Sequence, residues 1–85
     1  MKEETVLETI ISVLKKLGGK AQYFDIYKEY EIRRGISLTN GQKAGIRKTI
    51  EDYSSDSKNY KGREDIFYSV NGIGDGVWGL RDYKK

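Results

Sequence analysis

The side chains best suited to chemistry lie between positions 39 and 63, where Asn40, Gln42, Lys43, Arg47 and Lys48 are followed by Ser55, Lys58, Lys61 and Arg63. Guanidinium and carboxamide groups can form paired hydrogen bonds to guanine and adenine edges, while ammonium and hydroxyl groups suit phosphate and sugar oxygens. Charge gathers in the same stretch. Residues 39–63 hold six basic and three acidic side chains, against seven and six in 1–38 and three and four in 64–85. The net charge of the whole chain is only +3, so the distribution says more than the total.

Other chemistry is poorly served. Without histidine or cysteine there is no serine or cysteine triad, no disulfide framework and none of the usual structural zinc spacings. No phosphate-loop or dinucleotide fingerprint is present, and Asp82 with Lys84 makes only a fragment of a metal-nuclease pattern. The expectation is a protein without catalytic residues, metal, cofactor or small-molecule substrate. No apolar run approaches the length of a membrane span or a signal-peptide core, so a cytoplasmic location without membrane contact is expected. With 85 residues, one domain spanning 1–85 is the expected organisation.

The elements that position the candidate residues follow from periodicity. Val6, Leu7, Ile10, Ile11, Val13, Leu14 and Leu17 have the spacing of a helix with a broad buried face, ended by Gly18-Gly19. Residues 20–22 read as a short extended link. A second helix is predicted over about Phe24 to Arg33, with Ile26, Tyr27 and Tyr30 inward, Lys28, Glu29 and Glu31 outward, and Gly35 at its end. A third, capped by Thr39 or Asn40, runs to about Tyr53 with Ile46, Ile50 and Tyr53 on its buried side. Residues 54–65 are polar and aperiodic, a loop. Two strands, 66–70 and 77–82, joined by the glycine-rich stretch 71–76, form a hairpin in which Trp78 and Leu80 face the core with Phe67. Three helices followed by a two-stranded hairpin make an α+β domain with the element order of a winged helix-turn-helix, the hairpin being the wing.

On the third helix, a step of about 100° per residue places Asn40, Ala44, Arg47, Lys48 and Glu51 opposite Ile46 and Ile50, with Lys43 at the flank. Such a face fits a major groove, with Arg47 to guanine, Asn40 or Gln42 to adenine, and Lys43 and Lys48 to phosphates. The plain alternative is an ordinary solvated surface helix. Gly41 and Gly45 allow close approach of backbone to phosphate; the reading we prefer is that the helix starts after Gly41 and that Gly45 packs against a neighbouring helix. In the loop, Ser55, Lys58, Lys61 and Arg63 suit sugar-phosphate contacts, against the alternative of a solvated flexible segment. The hairpin tip suits phosphate less, because it holds Asp75 and no cation from Asn71 to Gly76, while Ile73 fits either an apolar wedge or a residue tucked under the hairpin.

Ser54-Ser55-Asp56-Ser57-Lys58, continued by Glu64 to Val70 and by Gly74-Asp75-Gly76-Val77-Trp78-Gly79-Leu80-Arg81, resembles the winged-helix domains attached to modification-dependent and HNH-type restriction endonucleases. Leu17-Gly18-Gly19 followed by Tyr23, Ile26 and Tyr27 is similar to the HARE-type helix-turn-helix of restriction enzymes and chromatin proteins. What the resemblance implies is a module that reads double-stranded DNA, in some relatives a methylated base, and delivers a nuclease domain carried in the same or another chain. A pocket for a base methyl group requires aromatic side chains such as Tyr60, Tyr68 and Trp78 to converge, which linear sequence does not show. The competing expectation is a winged helix used for protein contacts or dimerisation, which the mild net charge and Asp75 favour and the basic middle segment disfavours.

Overall fold

The computed structural model describes residues 4–62, 64–72, 74 and 76–83. Its elements, in chain order, are α1 (Val6–Lys16), β1 (Lys20–Gln22), α2 (Tyr23–Arg34), α3 (Asn40–Asp52), β2 (Phe67–Ser69) and β3 (Val77–Leu80).

Local chemistry sets the helix ends. At the start of α1 the Thr5 hydroxyl accepts the Glu8 N–H at 3.1 Å while the Glu8 carboxylate accepts the Thr5 N–H at 2.9 Å, satisfying two donors that a helix leaves open. Thr39 and Gln42 repeat this device at the start of α3, at 3.1 and 2.9 Å. Between the two, α2 ends at Gly35, whose left-handed φ of +64° an L side chain rarely adopts. At the end of α1 the Gly19 N–H donates to the Leu14 carbonyl at 2.8 Å, and the Gly19 carbonyl accepts from the Leu80 N–H at 2.9 Å. Gly19 thus couples the helix end to the sheet. Its φ is +96°, it is buried, and a Cβ there would overlap the Tyr83 ring.

The core fills the space between the helices and one face of the sheet. Ile10, Val13 and Leu14 of α1 meet Ile26 and Tyr30 of α2, Ile46 and Ile50 of α3, and Phe67, Trp78 and Leu80 of the strands, all buried. Burial of each such side chain contributes about 1.5–3 kcal/mol relative to exposure. The polar joint between α1 and α2 is satisfied as well: Arg34 donates to the buried Thr9 hydroxyl and to the Glu4 carbonyl, both at 3.0 Å.

Three expectations from sequence need correction. The sheet has three antiparallel strands in the order β1-β3-β2, because residues 20–22, expected as a link, pair with β3 through Lys20 opposite Gly79, Ala21 opposite Trp78 and Gln22 opposite Val77. Lys20 and Gln22 are exposed and Ala21 half-buried, but an alternation of only three residues does not announce a strand, and β3 supplies the pairing that makes it one. Gly41 lies inside the first turn of α3, since Thr39 caps one residue before Asn40. Gly45 is exposed, and a Cβ there would meet nothing within 4 Å, so it does not pack against a neighbouring helix. Among the described residues no helix is long and apolar enough to cross a membrane.

Candidate nucleic-acid interface

With Ile46 and Ile50 buried, helical geometry turns Asn40, Ala44, Arg47 and Lys48 outward, and all four are exposed. Their freedom differs. Asn40 and Ala44 have no side-chain partner among the described contacts. Lys48 is held by Asp52 at 2.9 Å, one turn along. Gln42 is exposed, but its carbonyl oxygen is engaged in the α3 cap, leaving its amide N–H groups to offer.

Two α3 cations are positioned by α2. Tyr27 is half-buried and stacks on Tyr23, with ring centroids 5.8 Å apart and planes 12° from parallel. The Tyr27 hydroxyl accepts from Arg47 Nη1 at 2.9 Å, and Lys43 Nζ sits 5.6 Å from the centre of the same ring. Tyr27 thereby sets where both Arg47 and Lys43 point, a role its assignment to the inward face did not anticipate. The hydrogen bond to Tyr27 is also the main cause that raises the Arg47 pKa above its ordinary value.

The segment after α3 is tied down rather than loosely solvated. Ser54 is buried; its carbonyl accepts the Ser57 N–H at 3.1 Å and its hydroxyl accepts the Asp56 N–H at 3.3 Å. Lys61 N–H returns to the Asp52 carbonyl at 3.1 Å. Farther along the chain, Arg81 reaches Asp65 at 2.8 Å, Asp56 at 3.3 Å and the Ser55 hydroxyl at 3.2 Å, while Ser55 donates from its backbone and its hydroxyl to Asp65 at 2.9 and 2.6 Å. Hydrogen bonds from Ser55, and after them from Arg81, hold the Asp65 carboxyl below its ordinary range. Ser55, considered above for sugar-phosphate contact, is therefore occupied by this clasp.

The clasp presents Lys58 and Lys61 on the α3 side of the molecule. Both are exposed, and neither has an ion pair among the described residues. Lys61 joins Ala44, Arg47 and Lys48 around a shallow depression of about 340 Å³, which also holds Glu51 and Asp52. Arg63, Ile73, Asp75 and Lys84 lie outside the described residues.

Beside that depression is a second cleft of about 460 Å³, between α3, the 57–59 turn and the hairpin. Tyr23 and Trp78 form its aromatic wall, Arg47 and Lys58 contribute cations, and Glu51 and Asn59 contribute polar groups, with Asn59 Nδ2 donating to Glu51 Oε1 at 2.7 Å. Burial, reinforced by the Glu51 charge, pushes the Tyr23 hydroxyl up to about 12, so it stays protonated at neutral pH. Of the three aromatics considered for a methyl pocket, Trp78 is the one that lines this cleft. The Tyr68 ring instead covers Gly79, where an added Cβ would stand 2.6 Å from it. Tyr23 and Glu51 complete the cleft; helix geometry puts Glu51 on the outer face of α3, while no sequence signal ties Tyr23 to it. Among the described residues no group of three or more acidic side chains is arranged to hold a metal ion.

Comparison with protein-family models, with curated proteins and with solved structures finds no match to this chain.

Proposed function

We propose that the chain is a winged helix-turn-helix module that binds double-stranded DNA through the outer face of α3, without catalysis of its own. The observation that carries this reading is the convergence of Lys61 with Arg47 and Lys48 around one depression beside the small Ala44, with Lys58 in the adjoining cleft. Cations from separate parts of the chain on one side of an exposed helix suit a phosphate backbone, and small side chains let that helix approach closely. The turn over residues 35–39, with Gly35 between α2 and α3, supports the helix-turn-helix assignment. The β2–β3 hairpin takes the place of the wing.

The likeness of residues 54–58, 64–70 and 74–81 to winged-helix domains of restriction endonucleases supports a role as the recognition module of such a nuclease, with the reading of a methylated base as its finer form. Fluorescence anisotropy against methylated and unmethylated duplexes, each at about 50 and 200 mM salt, tests all of this. Absence of binding at the lower salt refutes the DNA reading. Binding unchanged by salt refutes the phosphate contacts, and equal affinity for the two duplexes refutes the reading of methylation.

A second reading, a module for protein contact, is favoured by Phe24 and Ile32, which are 64% and 68% exposed on α2. Sedimentation of the free protein, and of a Phe24→Ser/Ile32→Ser variant, tests it through self-association that the variant abolishes.

A further inference from the structure

We propose that the cleft between α3, the 57–59 turn and the hairpin receives a single unpaired nucleobase bearing an exocyclic amino group, from a DNA strand lying along α3. The inference rests on the DNA-binding reading above and names what this part of the surface selects.

The size is suitable: about 460 Å³ falls within the ~300–1,000 Å³ typical of small-molecule sites. The walls are of the right kind, since the half-buried Tyr23 offers an aromatic surface that a base can meet, backed by the buried Trp78. They are also preformed. Trp78 is 4% exposed in the core, while Tyr23 is fixed by its stack on Tyr27 and by its N–H, which donates to the Gly76 carbonyl at 3.0 Å.

Glu51 determines which group the cleft takes. Its carboxylate can only accept, so it offers a phosphate nothing to pair with and suits a hydrogen-bond donor instead. One Glu51 oxygen accepts from Asn59, and no cation forms an ion pair with Glu51 among the described residues, so acceptor capacity remains for a donor brought in from outside. Cytosine, adenine and guanine each offer an amino N–H that a carboxylate accepts. Thymine has no amino group, and the carbonyls flanking its ring N–H would meet the carboxylate. Arg47 and Lys58 also line the cleft, placed to neutralise the phosphates on either side of a displaced nucleotide.

The test is fluorescence anisotropy with short duplexes that are fully paired or carry one central unpaired cytosine, adenine, guanine or thymine. Bulged cytosine, adenine and guanine are expected to bind at least about fivefold more tightly than the paired duplex, and bulged thymine close to it. Glu51→Ala is expected to bring the amino-bearing bulges down to the thymine level. Glu51→Gln, which keeps the side chain's length and an acceptor for Asn59 but removes the charge, is expected to lose most of the preference while melting like the parent. Binding to paired and bulged duplexes with equal affinity overturns this inference and leaves the DNA reading standing. No binding to any duplex at low salt overturns both, and an amino-base preference that survives Glu51→Ala overturns the role of the carboxylate.

Discussion

Lys58 and Lys61 are the cations whose removal tests the surface most directly. Both are exposed and free of ion pairs among the described residues, and each lies in a cleft that includes Arg47. Lys48, by contrast, must leave Asp52, 2.9 Å away, before it can meet a phosphate. Each phosphate neutralised on duplex DNA adds roughly 0.9 to the slope of log affinity against log salt, so Lys58→Ala/Lys61→Ala should shallow that slope by about 1.8. Between about 50 and 200 mM salt, the parent then loses roughly twelvefold more affinity than the double variant. Lys48→Ala should change the slope by less than about 0.9. Anisotropy titrations over a salt series measure all three, with circular dichroism melts as the control, because surface substitutions away from buried contacts shift stability by only about 0.5 kcal/mol. A double variant with the parental slope refutes the placement of the 54–62 segment on DNA. A larger change in Lys48→Ala than in the double variant refutes the argument from ion pairing.

Three other expectations follow from particular contacts. Gly19→Ala combines a positive φ, worth about 1–2 kcal/mol against an L residue, with overlap on Tyr83; a total near 2–4 kcal/mol lowers Tm by roughly 8–32 °C, and in a Tyr83→Ala background the cost of Gly19→Ala falls by the part due to overlap. Arg47→Ala is expected to reduce discrimination among duplex sequences by roughly tenfold, whereas Lys43→Ala weakens binding to every sequence; Tyr27→Phe, which frees the guanidinium without removing it, shifts discrimination in the Arg47→Ala direction by a smaller factor. Because the Asp65 carboxyl is held below its ordinary 3.8, its contribution to stability is present above that pH and is lost as pH falls through the lower folded value; urea melts should therefore show a steeper loss below about pH 3.8 for the parent than for Asp65→Asn.

Where the signal is local, the sequence is enough to place an element. The spacing of Ile46 and Ile50 orients α3, so the outward position of Arg47 and Lys48 follows from helix geometry alone; its first turn is less legible, because a glycine at 41 argues against the helix that the Thr39–Gln42 cap starts. Residues 20–22 carry no such signal. Lys20, Ala21 and Gln22 alternate polar, apolar, polar, but three residues are too short a run to read as a strand, and they form one because β3 supplies their hydrogen bonds. The same limit applies to the clasp, where Arg81 meets Ser55 across 26 residues of chain. Ser55, Asp56 and Asp65 look like solvated loop residues until that guanidinium is placed among them. The aromatic cleft was legible only as a requirement for convergence, which Tyr23 and Trp78 meet and Tyr68, lying over Gly79, does not.

The strand order has a consequence for how the molecule forms. The central strand of the sheet, β3, is the last of the three in the chain, and β1, which flanks it, precedes it by more than fifty residues. During synthesis α1, α2 and α3 can leave the ribosome and pack while Lys20–Gln22 still has nothing to pair with. Sheet closure, and with it the Gly19 to Leu80 hydrogen bond, waits for residues 77–80. The slow step expected for this small domain is therefore a long-range docking event late in its chain, and a chain cut before Val77 would lose Trp78 and Leu80 from the core on which its short helices depend.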